Sequence, residues 1–205
     1  MDLLKRHFDE IPFGVLIVPD LEADLPYTIP LSFCYLSDFA PNGAIGIHGA
    51  KAGRKFRLLK NNPKVSFSVA KPYAYIGSEF LGGAMIPTQF FFSALVVGRF
   101  RVVEDLADKR AILRALVAKY EPQSENFSFN KEAFMGSERG VFAGIIEIKS
   151  ISIKAKFGQN LKHSEFESIL SDLQTRTKSH TQNSDIDSQT IALMRQFRQN
   201  HKEAQ

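Results

Sequence analysis

The sequence predicts an α+β protein: an antiparallel β-barrel with a crossover helix set among its strands and a helical tail after them. Three observations carry this. Segments 13–18, 27–35, 44–49, 64–70, 89–103 and 140–157 read as strands, either as short apolar runs or by alternation. Segment 89–103 is apolar on both faces, with Phe92, Ala94, Val96 and Phe100 on one and Phe91, Leu95, Val97 and Val103 on the other. Such a strand must be covered on both sides, which a barrel interior and a second subunit would do. From residue 158 onward the apolar spacing turns helical.

The elements follow in order. A short helix at 3–8 ends near Pro12, and 13–18 is a strand closed by Pro19-Asp20. In 27–35, Tyr27, Ile29, Leu31, Phe33 and Tyr35 alternate with Thr28, Pro30, Ser32 and Cys34, giving one apolar face and one of small groups. Pro30 cannot donate to a ladder, so this strand belongs at an edge or a bulge. Strand 44–49 leads into a helix over 51–62, with Ala52, Phe56 and Leu59 in phase and Asn61-Asn62-Pro63 as its stop. Residues 72–88 read as a loop whose aromatics Tyr73, Tyr75 and Phe80 would either cover a ligand or anchor the loop. Asp105 reads as the N-cap of a helix with Leu106, Ile112, Leu113, Leu116, Val117 and Tyr120 inward, followed by a polar loop. In 140–157, Ile146 and Ile148 are out of step with Ile151 and Ile153, which a bulge near Lys149-Ser150 would repair. Ser164-Glu-Phe-Glu167 reads as a capping box for a helix with Phe166, Ile169, Leu170 and Leu173. A polar linker at 178–188 precedes a second helix carrying Ile191, Met194 and Phe197.

Composition narrows the class. At 205 residues the chain supports one substantial core and an appendage, divided here as 1–157 and 158–205. Eighteen Phe and no Trp mean that Phe fills much of the core. The one cysteine, Cys34, excludes an internal disulfide and multi-cysteine metal sites, and it is expected to be a buried, inert thiol. His7, His163, His180 and His201 stand among polar residues and are expected at the surface, so no metal is assigned. No apolar run is long enough to span a bilayer and the N-terminus lacks a signal-type apolar stretch, so a cytoplasmic protein is expected. A net charge of +4 is too small to argue for nucleic acid. The basic residues concentrate instead at 51–64, beside a glycine-rich turn.

That segment carries the chemistry. A strand, a small-residue turn and a helix start with Gly53, Arg54 and Lys55 place free N–H groups and two cations together. The arrangement suits one phosphate group. His48 is the only histidine within an expected strand.

The run His48-Gly-Ala-Lys-Ala-Gly-Arg-Lys55 with Asn62-Pro-Lys-Val-Ser-Phe67 resembles the FMN-binding split barrels of the pyridoxamine 5′-phosphate oxidase-like superfamily, nearest the nitroimidazole-resistance branch. Phe13-Gly-Val-Leu16, Pro26-Tyr-Thr-Ile-Pro-Leu-Ser-Phe33 and Phe92-Ser-Ala-Leu-Val-Val-Gly98 resemble other strands of that branch, and the likeness spans 11–157. Lys154-Ala-Lys-Phe-Gly-Gln-Asn160 resembles the closing segment of PaiB-type regulators. The resemblance implies an α+β, antiparallel Greek-key split β-barrel with flanking helices and a C-terminal helical extension, binding FMN as a homodimer. It implies that Arg54 and Lys55, with Lys51 nearby, hold the FMN phosphate, and that His48 and Gly49 line the flavin. It further implies that Ser93 bonds the isoalloxazine edge and that Thr28, Pro30 and Ser32 lie against the ring. The chain has no Trp and lacks the Arg-x-His closing segment of true pyridoxamine-phosphate oxidases, so vitamin B6 synthesis is rejected. The expected function is flavin-mediated hydride or electron transfer with a small-molecule substrate, NAD(P)H among the candidates, and with His48 managing the proton. A non-enzymatic regulator of PaiB type and, behind it, a haem-handling split barrel are the alternatives.

Overall fold

The single strand expected at 27–35 is two strands, β2 (Tyr27–Ser32) and β3 (Cys34–Leu36), separated only by Phe33. A computed structural model of the chain describes residues 2–61, 63–83, 86–123, 132–179 and 183–203. Asn62 and His180, read above as a helix stop and a surface histidine, lie outside the described residues. The other strands are β1 (Phe13–Val18), β4 (Ala44–Ala50), β5 (Lys64–Ile76), β6 (Thr88–Val102) and β7 (Val141–Lys156). The helices are α1 (Asp2–Glu10), α2 (Gly53–Asn61), α3 (Leu106–Tyr120), α4 (Glu132–Gly140), α5 (His163–Lys178) and α6 (Ser184–Glu203). One antiparallel sheet runs in the order β2-β1-β5-β6-β7-β4-β3. Its two edges, β2 and β3, are consecutive pieces of one segment, so the sheet curls on itself. This is the split-barrel architecture.

The chain divides into two compact units: Met1–Val69 with Ala94–Ser152, and Ala70–Ser93 with Ile153–Gln205. In the first unit the alternation works as the sequence indicates. Tyr27, Ile29, Leu31, Phe33 and Tyr35 all join the barrel interior, where Phe33 packs edge-on against Phe8 and Phe67 at ring separations of 6.2 and 5.1 Å. The opposite face carries Cys34 and Leu36, which pack with Ile112, Leu113 and Leu116 of α3. Asp105 caps α3, its carboxylate accepting from the Asp108 N–H at 2.9 Å. Cys34 is buried, and burial pushes its thiol up to about 12, so it is inert at neutral pH.

The break at Phe33 is held from α3. The Phe33 N–H donates to the Tyr120 hydroxyl at 3.1 Å, and that hydroxyl donates in turn to the Pro12 carbonyl. Lys119 stands 3.5 Å from the Phe33 ring centroid and donates to the carbonyls of Phe8 and Ile11 at 2.8 and 2.7 Å. It thereby caps the end of α1.

Along β7, Ile148 is buried, Lys149 and Ser150 are both exposed, and Ile151 turns back to the interior cluster. The burial phase therefore slips at Lys149-Ser150, which returns Ile151 to the interior but leaves Ile153 exposed, against the expectation for both.

In the second unit, Phe157 stacks on Phe197 at 5.2 Å and meets Tyr73 and Phe90 edge-on. Phe166, Ile169, Leu170 and Leu173 are buried, as their helical spacing indicates. Arg176 forms a two-pronged pair with Asp187, both bonds 2.7 Å, and Asp187 is fully buried.

Five expectations are corrected. Residues 72–76 continue β5 rather than opening a loop, because Tyr73 and Ile76 find apolar cover; Phe80 is likewise buried, in a short 3-10 turn at Phe80–Gly83. The polar loop before β7 contains α4. Leu106 and Tyr120, at the two ends of α3, are exposed rather than inward. His7 is buried, its Nε2 3.1 Å from the Val69 carbonyl, rather than at the surface. The capping box of α5 uses Glu165, which accepts from the Lys162 N–H at 3.0 Å, rather than Ser164 and Glu167. Among the described residues no helix is long and apolar enough to cross a membrane.

Tyr120→Phe removes one hydroxyl that serves the Phe33 N–H and the Pro12 carbonyl. The expected cost is about 1–3 kcal/mol, read as a fall in the thermal unfolding midpoint with the fold retained by circular dichroism.

Candidate functional site

The site begins where β4 ends. Residues of β4 alternate between the barrel interior, with Ile45 and Ile47, and the side covered by α3, with Ala44. His48 continues the α3 side and Gly49 the interior side. After the turn at Lys51-Ala52, Gly53 opens α2 with φ +89°, a backbone conformation that glycine adopts at no steric cost. Arg54 and Lys55 follow at once, in the first turn, where free N–H groups and the positive end of the helix lie.

The two cations take different directions. Arg54 donates through Nε and Nη2 to one oxygen of Asp20, at 3.2 and 2.6 Å, and lies 5.0 Å from the centroid of Tyr27 at the start of β2. This guanidinium holds the Asp20 carboxyl below the usual carboxylate range. Arg54 is thus aimed before any ligand arrives, with Nη1 outside the pair. Lys55 folds back over Gly49 and the Phe142 ring, its nitrogen 5.6 Å from the ring centroid. Burial lowers its pKa. A side chain at position 49 would run into the Lys55 amine, so the missing side chain is what lets the amine seat there.

His48 borders a pocket of about 260 Å³ whose walls are Leu113, Leu116 and Val117 of α3 and Ser137, Glu138 and Val141 around the end of α4. Partial burial, then the charge of Lys55, holds the imidazole below its ordinary pKa, so the neutral ring predominates at neutral pH. The pocket wall is tied down by Lys109, which donates to the carbonyls of Glu138 and Val141 at 2.6 and 2.8 Å. Arg110 grips the Glu138 carboxylate at 2.8 and 3.0 Å. Lys51 borders a neighbouring pocket of about 490 Å³ with Phe56, Lys109, Arg139 and Phe142.

The structure therefore brings His48, Gly49, Lys51, Arg54 and Lys55 into one neighbourhood. Thr28 and Pro30 are exposed and Ser32 half-buried on the outward face of β2, the strand that Tyr27 links to Arg54. Ser93 falls in the second unit, where its hydroxyl donates to the Lys154 carbonyl at 3.3 Å. The sequence alone does not single out Asp20 or Lys109. Pro19-Asp20 carries a turn signal and nothing that pairs it with Arg54, and Lys109 sits among ordinary helix-surface charges. The proline and the acid are legible; their partner 34 residues on is not.

These residues place a glycine-led turn, an open helix start and two cations together on a split barrel. Residues 1–152 match the family described as "Putative FMN-binding domain", and the chain belongs to that family. Its cofactor is FMN. No curated protein matches the chain. Among solved structures it is similar to a putative 5-nitroimidazole antibiotic resistance protein from Bacteroides thetaiotaomicron (18% identity, TM-score 0.60, covering 74% of this chain and 81% of that one). It is also similar to a FAD and heme binding protein from Mycobacterium smegmatis (19%, 0.62, 76% and 70%). A third is the flavocytochrome Anf3 from Azotobacter vinelandii (20%, 0.61, 76% and 67%). At these identities the likeness is one of fold.

The residues present fit the cofactor. The Gly49 cradle, the open first turn of α2 and the cations Lys51, Arg54 and Lys55 supply N–H donors and charge for a phosphate. Gly49→Ala is expected to displace the Lys55 amine and weaken FMN retention by about tenfold, the loss of one charge-assisted bond. Absorbance of the purified variant, with its unfolding midpoint as control, measures this.

Proposed function

We propose that this protein is an FMN-dependent oxidoreductase of a small-molecule substrate, working as a homodimer in the cytoplasm. The observation that carries the enzymatic reading is His48, a neutral imidazole at the mouth of an apolar pocket of about 260 Å³ beside the phosphate cradle. A flavin held only as a sensor or carrier needs no such pocket with a proton-exchanging group in it. Bound FMN would supply reversible redox chemistry. The chain's own residues do the rest. Arg54 and Lys55 anchor the phosphate, with Arg54 kept in place by Asp20. Leu113, Leu116 and Val117 exclude water from the pocket, and His48 accepts or returns a proton at the substrate.

Dimerisation is supported by the outer wall of the barrel. Phe13 (59% exposed) and Val15 on β1 stand with Leu95 and Val97 (44%) on β6, all outward-facing. An exposed apolar patch of this kind marks an interaction surface. Packing two such walls would remove it from water and enclose a flavin between chains.

Three outcomes are expected. Replacing Arg54 and Lys55 together with Ala weakens FMN binding by roughly 10²–10⁴-fold, two charge-assisted bonds at about 1.5–3 kcal/mol each; unchanged flavin content would place the phosphate elsewhere. Leu95→Asp lowers the dimer fraction in light scattering and the flavin content with it. Anaerobic mixing of the flavin-loaded protein with NADH or NADPH bleaches the flavin, and His48→Ala slows that reaction with flavin content unchanged. A flavin that neither nicotinamide bleaches would favour the sensor.

A further inference from the structure

The outer wall of the barrel changes character along its strands. Val15 pairs with Ser68 and Ile17 with Ser66, so half-buried serines stand beside the apolar residues of β1, and Val97 is shared by the apolar patch and the pocket that follows. Beyond them lies a pocket of about 430 Å³ with a floor of Ile17, Pro19, Ser66 and Val97 and a rim of Lys64, Arg99 and Lys149. Four strands contribute, β1, β5, β6 and β7. The three cations come from three of them and converge on one opening, and among the described lining residues none is acidic. The nearest acid along β7, Glu147, is taken by Arg101 at 2.8 Å. None of the three cations joins the ion pairs by which Arg54, Arg101, Arg110 and Arg176 are neutralised elsewhere.

Cations scattered on a surface are solvated and need no explanation. Three convergent ones over an apolar floor repel each other and leave a compensating charge to be supplied. One carboxylate would neutralise a third of that charge, whereas a phosphomonoester dianion neutralises most of it. Such a group presents oxygens for the Arg99 fork and for the two point-charge ammonium groups. The floor then suits the uncharged remainder of the molecule, with the Ser66 hydroxyl as its polar handle, and the volume falls in the range of small-molecule sites.

We propose that this pocket is a second, phosphate-binding site, taking a phosphorylated small molecule through Lys64, Arg99 and Lys149 and separate from the FMN cradle of Arg54 and Lys55. All three cations are exposed at strand surfaces, so their replacement leaves the barrel interior untouched.

The test uses FMN-saturated protein titrated calorimetrically with adenosine 5′-monophosphate, with adenosine and inorganic phosphate in parallel. The expected result is binding of the monophosphate and of phosphate but not of adenosine. The affinity should fall about 10²-fold in the Arg99→Gln, Lys149→Gln double variant, because two charge-assisted bonds to the phosphate are removed. Flavin content should stay constant. Equal binding of adenosine, or an unchanged affinity in the double variant, would overturn the proposal. So would loss of FMN from the variant, which would make this pocket the seat of the flavin's own phosphate.

Discussion

One segment, residues 27–36, closes the barrel, and the site depends on how it is held. A seven-stranded sheet has two edges with unpaired N–H and C=O groups. Here β2 satisfies β1 and β3 satisfies β4, with one residue between them. Phe33 cannot pair in both directions, so its backbone needs another partner. Tyr120 supplies it, while the Phe33 ring fills the centre of the interior between Phe8 and Phe67. Because Tyr120 and Lys119 end α3, the same contacts fix that helix over β3 and β4. That helix is the wall of the His48 pocket. Closure of the barrel and formation of the pocket are thus one event in packing terms.

The strands were legible because alternation with a period of two survives closure unchanged. Tyr27 through Tyr35 read the same in sequence and structure, even across the break at Phe33. What was illegible depended on partners distant in sequence. Tyr73 looks like a loop aromatic until Phe157 covers it. His7 looks like a surface group until the Val69 carbonyl and the interior enclose it. The helix α4 is short and follows a polar stretch, so its spacing offers little apolar signal. In the candidate site, the neighbourhood of Gly49, Gly53, Arg54 and Lys55 was readable because glycine, turn and cations are contiguous. The aiming of Arg54 by Asp20 was not, since it joins the turn after β1 to the start of α2.

That ion pair has a consequence for affinity. An arginine free in solution loses rotamer freedom when it grips a phosphate. Arg54 has already lost it, to Asp20 on one side and the Tyr27 ring on the other. The carboxylate also tempers the field, so that the cradle is less repulsive to itself with Lys51 and Lys55 close by. Lys55 is set differently: its partly buried amine lies over Gly49, and its lowered pKa reflects water already stripped away. One cation is oriented by a partner and the other by burial, so in the proposed phosphate site each would meet part of the cost of binding in advance.

The composition decides where ligands can go. With eighteen Phe and no Trp, the barrel interior is filled by rings such as Phe33, Phe67 and Phe142, each almost fully buried. A packed interior of this kind has no room for a tricyclic ring. The three cavities described above in the first unit lie outside the strands, either beside α3 and α4 or on the wall of β1, β5, β6 and β7. A ligand on such a wall is open to water on one side unless something covers it. The apolar half of the wall asks for a protein surface and the cationic half for an anion, so the two halves call for different occupants. That division, written in the outward residues of four strands and meeting at Val97, is why the apolar patch and the cationic pocket are proposed for different occupants.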